Sequence, residues 1–372
     1  MKHTPLGIHL IILPILSCLA SCGPFEPSAV QDPHQRDAES PASFPMALGK
    51  AEPNDIGLFL AGMPVRNGAT LSAIQQTEEY QAHRREMRAV WGLSTLRLNH
   101  MRSWSNSELA PNFGDGETVL YPFGGPDLLH VSAMFPQART YVLMGLESAG
   151  EVPALESMPP AEVLAVLAAF RQATRTQLES GYFITQDMRS DLHWIALRGV
   201  TPILLSTVAL TGGRVESVNR FAVGGKPGVE LRFCDAAGLS HRACYIEADL
   251  SNAGFSSGCR KWLAGLGGNI TYFKAASYLM HSGRFSQSRE FFLTQSQVIL
   301  QDDSGIPLRC FTEGWTMRYF GVYEQPIELF SKYQQDDLRQ AYVATQPTSP
   351  LLFGTGYRVS QMEGNLLLAS KH

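Results

Sequence analysis

From residue 118 onward the hydrophobic positions fall into short runs, each ended by glycine, proline or a change of period. Thr118–Phe123 (TVLYPF) has strand character, Asp127–Phe135 carries Leu128, Val131 and Met134 at helical spacing, and Thr140–Glu147 is a second apolar run. Two apolar runs joined by a helix predict a parallel βαβ unit. Upstream, GLFLAGMP (Gly57–Pro64) is an apolar segment stopped by Pro64. Ile74, Tyr80, Met87, Val90 and Trp91 then predict a long helix from an N-cap at Ser72 through Trp91 and beyond.

Downstream, Pro159–Ser180 predicts a helix with Pro160 in its first turn. Thr201-Pro202-ILLSTVAL, stopped at Gly212-Gly213, predicts another. Between Arg214 and Leu250 three strand-like pieces are broken at Gly224-Gly225 and Gly238, which predicts a meander. The remainder alternates: a strand at Ile270–Phe273, a helix at Ser286–Gln295, a strand at Val298–Gln301, a helix at Leu329–Tyr342 and a final strand at Leu351–Gly354. The fold class expected is α/β: a mixed, partly parallel sheet with flanking helices, a Rossmann-like βαβ unit at 118–147 and a β-meander near 214–250. The globular α/β domain is expected over 51–372, with a break between two subdomains near 200–215 as one option.

The first 50 residues follow a different pattern. Lys2 and the apolar Leu6–Ser17 run, interrupted by Pro14, have the charge and length of a signal peptide and are too short for a comfortable bilayer span. The run ends in Leu19-Ala20-Ser21-Cys22, which resembles the lipobox of bacterial lipoproteins. That resemblance implies cleavage after residue 21, a diacylglyceryl group on the Cys22 thiol and acylation of the new amino terminus. Gly23, where an aspartate would signal inner-membrane retention, favours the outer membrane. Residues 1–21 are therefore read as a lipoprotein signal peptide and 22–50 as the lipidated cysteine and a flexible tether, rich in Pro, Ser, Ala and charge. Such a tether reaches about 28 Å r.m.s.. The partner this implies is a lipid bilayer, held through acylated Cys22 at about 0.8 kcal/mol per buried CH₂, and the location is the bacterial cell envelope.

Composition narrows the class further. Hydrophobic residues make up 44% of 372, which excludes a mainly disordered chain. A formal charge of −4 and a pI near 6.2 give no electrostatic footprint for nucleic acid. The densest basic run, His83–Arg88, lies in a helical pattern and reads first as a solvated face. Its sharper reading is contact with anionic headgroups. Removing Cys18 with the signal peptide and lipidating Cys22 leaves Cys234, Cys244, Cys259 and Cys310. An exported chain permits disulfides among these four, with three connectivities open, or four buried thiols. No CxxC or Cys/His ligand spacing is present, so neither a metal nor a cofactor is expected.

Three constellations could carry chemistry. Gly124-Gly125-Pro126-Asp127, with Glu147 ending the next strand, has the outline of a dinucleotide or S-adenosylmethionine site: small residues at a helix start and a carboxylate placed for a ribose. GxGxxG is absent, however, and Asp127 can simply cap its helix, so a tight turn with an N-cap competes with a ligand-binding role for Gly124, Gly125, Asp127 and Glu147. Asp302 and Asp303 follow an apolar strand, where open α/β sheets gather ligands; they are the candidate catalytic pair, against a surface turn. Arg309, Glu313 and His281 are candidate neighbours. Gly254–Gly258 matches GxSxG around Ser256, but the acid and histidine do not follow in the order that a nucleophile elbow needs. Lys226 lies in GGKPG, where Pro227 replaces the Ser or Thr of a P-loop.

Beyond the lipobox, the chain resembles a family of bacterial proteins that carry a YPF-small-GPD motif, a following FP and a GLE strand end. Tyr278-Leu279-Met280-His281 and Gln301–Pro307 belong to that resemblance, which extends from about Gly57 to the C-terminus. It implies no substrate and no catalytic residue. Three functions stay open: a lipid-anchored binding or envelope-associated protein, an envelope hydrolase using Asp302 and Asp303, and a Rossmann-like ligand-binding domain.

Overall fold

The parallel heart of the sheet is assembled from strands that the apolar runs mark out. In a computed structural model, which describes residues 44–45, 52–65, 67–110, 116–181, 198–267, 270–359 and 364–371, β2 (Thr118–Tyr121) leads through α4 (Leu128–Met134) to β3 (Thr140–Gly145). β2 and β3 pair in parallel with Thr118 opposite Thr140, as the βαβ pattern requires. β6 (Ser240–Glu247) pairs in parallel with β3, and β7 (Ile270–Phe273) lies on the other side of β2. β8 (Val298–Gln301) continues in parallel beyond β7. The parallel order is therefore β6-β3-β2-β7-β8. The chain builds outward from β2 in one direction, then returns to build in the other.

Antiparallel strands close both sides. β4 (Arg214–Val223) and β5 (Lys226–Cys234) form a hairpin whose β5 edge pairs with β6. Its two-residue loop is Gly224-Gly225, with φ of +57° and +79°, the conformation of a type I′ turn, which only glycine, asparagine or aspartate adopts cheaply. On the far side, β10 (Asn365–Lys371) is inserted antiparallel between β8 and β9 (Trp315–Gly321). β1 (Phe44–Pro45) lies antiparallel against β4. Among the described residues the sheet thus has ten strands.

Helices cover both faces. One face carries α1 (Pro53–Leu60), α2 (Ala69–Ile74), α3 (Glu78–Glu108), α4, α5 (Pro160–Ser180) and α6 (Thr201–Leu210) over one large apolar cluster. The other carries α7 (Ser257–Gly265) and α8 (Ser286–Gln295) over a second cluster. With both faces covered, the central strands are almost wholly apolar, and β7 is buried at all four positions. α5 starts on Pro160 and ends on Gly181 at φ +71°, and buries Val163, Val166, Leu167 and Phe170 at helical spacing. Each such side chain contributes about 1.5–3 kcal/mol by leaving water.

Several expectations shift. Ser72 lies inside α2; the chain breaks at Gln75–Thr77, and Thr77 caps α3 by accepting from the Tyr80 amide. Gly57–Pro64 is helical up to Leu60 because Pro53 starts a turn there. Leu351–Gly354 is not the last strand. Leu351 and Phe353 are buried, yet the ladder passes to Asn365–Lys371, which finds β8 and β9 on its two sides. Leu329–Tyr342 divides into a 3₁₀ stretch, Glu328–Tyr333, and α9 (Asp336–Ala344). Phe44–Pro45, read as tether, pairs in the sheet; the signal peptide, Cys22 and the rest of the tether lie outside the described residues. Cys234, Cys244, Cys259 and Cys310 are free thiols; Cys234 stands opposite Ser240 and Cys244 opposite Glu230. Ser256 caps α7 through the Cys259 amide, and Lys226 opens β5, which accounts for both sequence matches. Among the described residues no helix is long and apolar enough to cross a membrane.

Candidate functional site

Building away from β2 in two directions leaves a gap in chain connectivity between β2 and β7. In open α/β sheets ligands bind outside the carboxyl ends of the strands at that reversal. The loops that leave β2, β3, β7 and β8 meet there, and they contain the residues singled out in the sequence. They also concentrate backbone strain. Phe123, Ala275, Ser277 and Tyr278 all have φ between +50° and +62°, a region that costs a non-glycine residue about 1–3 kcal/mol.

Asp127 is at the centre. Its Oδ1 accepts from the His130 amide at 3.2 Å, the N-cap bond foreseen for it, and from His130 Nδ1 at 2.8 Å. Its Oδ2 accepts from the Tyr121 hydroxyl at 3.0 Å and from Lys274 Nζ at 2.5 Å. Lys274, the residue after β7, also donates to the Gly181 carbonyl at 2.7 Å. Lys274 and Asp127 are both essentially removed from solvent. Burial alone raises the Asp127 carboxyl, but His130 and Lys274 outweigh it and hold the group well below the usual carboxylate range. Burial pulls the Lys274 ammonium down, and Asp127 offsets part of that. Burial likewise brings His130 to about 4 against the pull of Asp127, so the imidazole is neutral at pH 7. Donation from Nδ1 to Asp127 leaves Nε2 as an acceptor, and Arg97 Nη2 faces it at 3.5 Å.

The glycine loop is packed shut. The Gly125 amide donates to the Met144 carbonyl, Asp127 to Gly124, and Leu128 to Pro126, so the amides that would cradle an anion at this helix start are spent internally. Glu147 does come close to Gly125 across Gly145. Its own partner is the Tyr245 hydroxyl, 2.7 Å from the Glu147 carbonyl and 3.2 Å from its carboxylate. A Cβ at Gly145 would stand 2.4 Å from that carboxylate and 2.9 Å from the Gly125 backbone. Gly145→Ala is therefore expected to lower stability by about 1–3 kcal/mol through overpacking, measured by urea unfolding. A neutral effect would mean that the loop is not seated on β3.

Asp302 and Asp303 serve as a clamp between loops. The Asp302 carboxylate accepts from the Ala275 amide at 2.8 Å, and from the Ser304 amide and hydroxyl. Ala276 donates to Ser304 Oγ and Ser277 to the Tyr357 hydroxyl, so three successive amides of the strained loop are held by side chains. Asp303 accepts from the Tyr278 hydroxyl and from Asn365 Nδ2, which ties the loop to the start of β10. Burial, followed by the neighbouring Asp303 charge, pushes the Asp302 carboxyl up to about 6 against the donors from Ser304 and Ala275. Asp302 is 4% and Asp303 8% exposed. His281 lies beside Tyr278 with its Nε2 unpaired, and burial lowers it to about 4. Arg309 and Glu313 are both exposed, and Glu313 lines a separate groove of about 920 Å³ between α8 and the start of β9.

Sequence reasoning missed Lys274 and Arg97. The signal for Lys274 was a lone lysine ending the apolar ITYF run; Arg97 occupies an ordinary polar position on a long helix and gave none. Among the described residues no three His, Cys, Asp or Glu side chains stand close enough together to hold a metal ion. Comparison of the chain with protein-family models, with curated proteins and with solved structures finds no significant match.

Proposed function

We propose that this chain is a lipid-anchored, extracytoplasmic protein of the bacterial envelope, on the outer membrane in preference to the inner, that acts by binding and not by catalysis. One observation carries the second half: Asp127, Asp302 and Asp303 are already committed to the fold. Asp127 is neutralised by Lys274, and Asp302 and Asp303 staple three loops together. A general acid or base must reach a substrate proton, and these carboxylates face protein donors. The first half is supported by the lipobox resemblance at Leu19–Cys22.

Mass spectrometry of the mature amino terminus from the native host should find a diacylglyceryl and an N-acyl group on Cys22. Cys22→Ser should move the protein from the membrane to the soluble fraction. An unmodified Cys22 in the wild type would refute the anchor. A hydrolase reading keeps one observation in its favour, the Asp302 carboxyl raised to about 6 beside Asp303, as a general acid requires. It needs the Ala275–Tyr278 loop to open, and it predicts that Asp302→Asn abolishes an activity without lowering stability.

A further inference from the structure

The helix-covered side of the same crest carries donors with nothing to donate to. Arg97 Nε, Gln177 Nε2, the Tyr272 hydroxyl and Thr355 Oγ1 are buried and have no hydrogen-bond partner. Gln177, Tyr272 and Thr355 are 4%, 0% and 5% exposed. Leaving a buried donor unpaired costs about 1–3 kcal/mol each, so native folds satisfy such groups with water or a ligand.

The four belong to one neighbourhood. Arg97 Nη2 donates to the carbonyl of Leu178, the residue after Gln177, at 2.9 Å. Lys274 donates to Gly181, one turn further along the same helix end. Tyr272 stands two residues before Lys274, so the two share a face of β7, and its ring lies 4.9 Å from that of Tyr121, the hydroxyl partner of Asp127. Thr355 is the side chain beside the Tyr272 hydroxyl, and it precedes Gly356, against which the Asp302 carboxylate packs.

The nearby acceptors are taken. Both Asp127 oxygens are occupied, the Leu178 and Gly181 carbonyls receive Arg97 and Lys274, and His130 Nε2 faces Arg97. This wall also carries two cations, Arg97 and Lys274, with two carboxylates, Asp127 and Asp302, beside them. Unpaired donors, one of them on a guanidinium, with the nearby acceptors taken call for a ligand rich in acceptors. We propose that Arg97, Gln177, Tyr272 and Thr355 form a binding site for a small oxyanion group, a carboxylate or a phosphate. This rests on the reading of the chain as a binding protein and names its ligand class.

The test is thermal unfolding of the full-length mature protein, in detergent where it is acylated. Sodium acetate, inorganic phosphate and inorganic sulfate are titrated at constant ionic strength, with chloride as the control. Binding to the folded state alone raises the unfolding midpoint with ligand concentration. The expected result is a saturable rise with acetate or with phosphate, and whichever acts distinguishes a carboxylate from a phosphate ligand. Arg97→Met should weaken it about tenfold or more, the worth of one charge-assisted bond. Thr355→Val and Gln177→Leu keep nearly the same volume and should fold while weakening the same response. If the four donors hold only water, no anion shifts the midpoint beyond chloride, or Thr355→Val leaves the response unchanged; either result overturns the site. Such a failure would leave Cys22→Ser fractionation and the burial of Asp302 and Asp303 intact, so it is distinguishable from failure of the binding reading itself.

Discussion

Replacing Lys274 by methionine is expected to destabilise the protein by about 3–5 kcal/mol, because it leaves the Asp127 carboxylate buried without its cation. Two other partners of Asp127, the Tyr121 hydroxyl and the neutral His130 ring, are dipoles that cannot replace a full charge. The partner variant Asp127→Asn keeps an oxygen for the N-cap bond to His130. If the pair is what holds the charge in place, Lys274→Met with Asp127→Asn should recover a large part of the loss. The coupling in a double-mutant cycle should then fall at about 2–3 kcal/mol, the upper end for contacting residues. Strict additivity in urea unfolding would mean that the two groups do not act as a pair. The pH sign follows from the direction of the shift. A carboxyl held below its unfolded value contributes stability at neutral pH that disappears as pH falls through its folded pKa, so the cost of Lys274→Met should shrink in strong acid.

Asp302 carries the second large effect, with the opposite sign. Its folded pKa is raised from 3.8 to about 6, so its contribution is fully present below the unfolded value and is lost as pH rises through about 6. That shift corresponds to about 3 kcal/mol. Asp302→Asn removes the titration but keeps an oxygen for the Ala275 amide. The stability of Asp302→Asn relative to wild type should therefore climb by about 3 kcal/mol between pH 3 and pH 7. Urea unfolding of both proteins across that range measures it. A difference that stays flat with pH would mean that Asp302 is not desolvated beside Asp303.

What the sequence disclosed was local. The βαβ unit at 118–147, α5 with its proline start and glycine stop, and the Gly224-Gly225 hairpin were legible because their signals lie within a few residues of the structure they specify. β9 and β10 were not. Trp315–Gly321 mixes exposed and half-buried positions as an edge strand does, and Asn365–Lys371 becomes a strand because β8 and β9 flank it, a relation spread over more than 60 residues. The same divide separates the acids from their roles. Glu147, Asp302 and Asp303 lie just past strand ends and Asp127 at the start of α4, where the pattern placed them. Whether an acid faces a ligand or a protein donor depends on Lys274, Tyr245, Ala275 and Asn365, which arrive from distant segments. No spacing rule within the chain could supply them.

Asp127, Asp302 and Asp303 are sealed inside the fold. Native-state labelling of carboxyl groups with a water-soluble carbodiimide and an amine, mapped by peptide mass spectrometry, tests that burial most directly. Glu290 and Glu313, both exposed, should label quickly. Asp127, Asp302 and Asp303 should stay unmodified until the protein is unfolded. Labelling of Asp302 or Asp303 in the native protein at the rate of Glu290 would place them in an open site and contradict a binding protein with a closed acidic core.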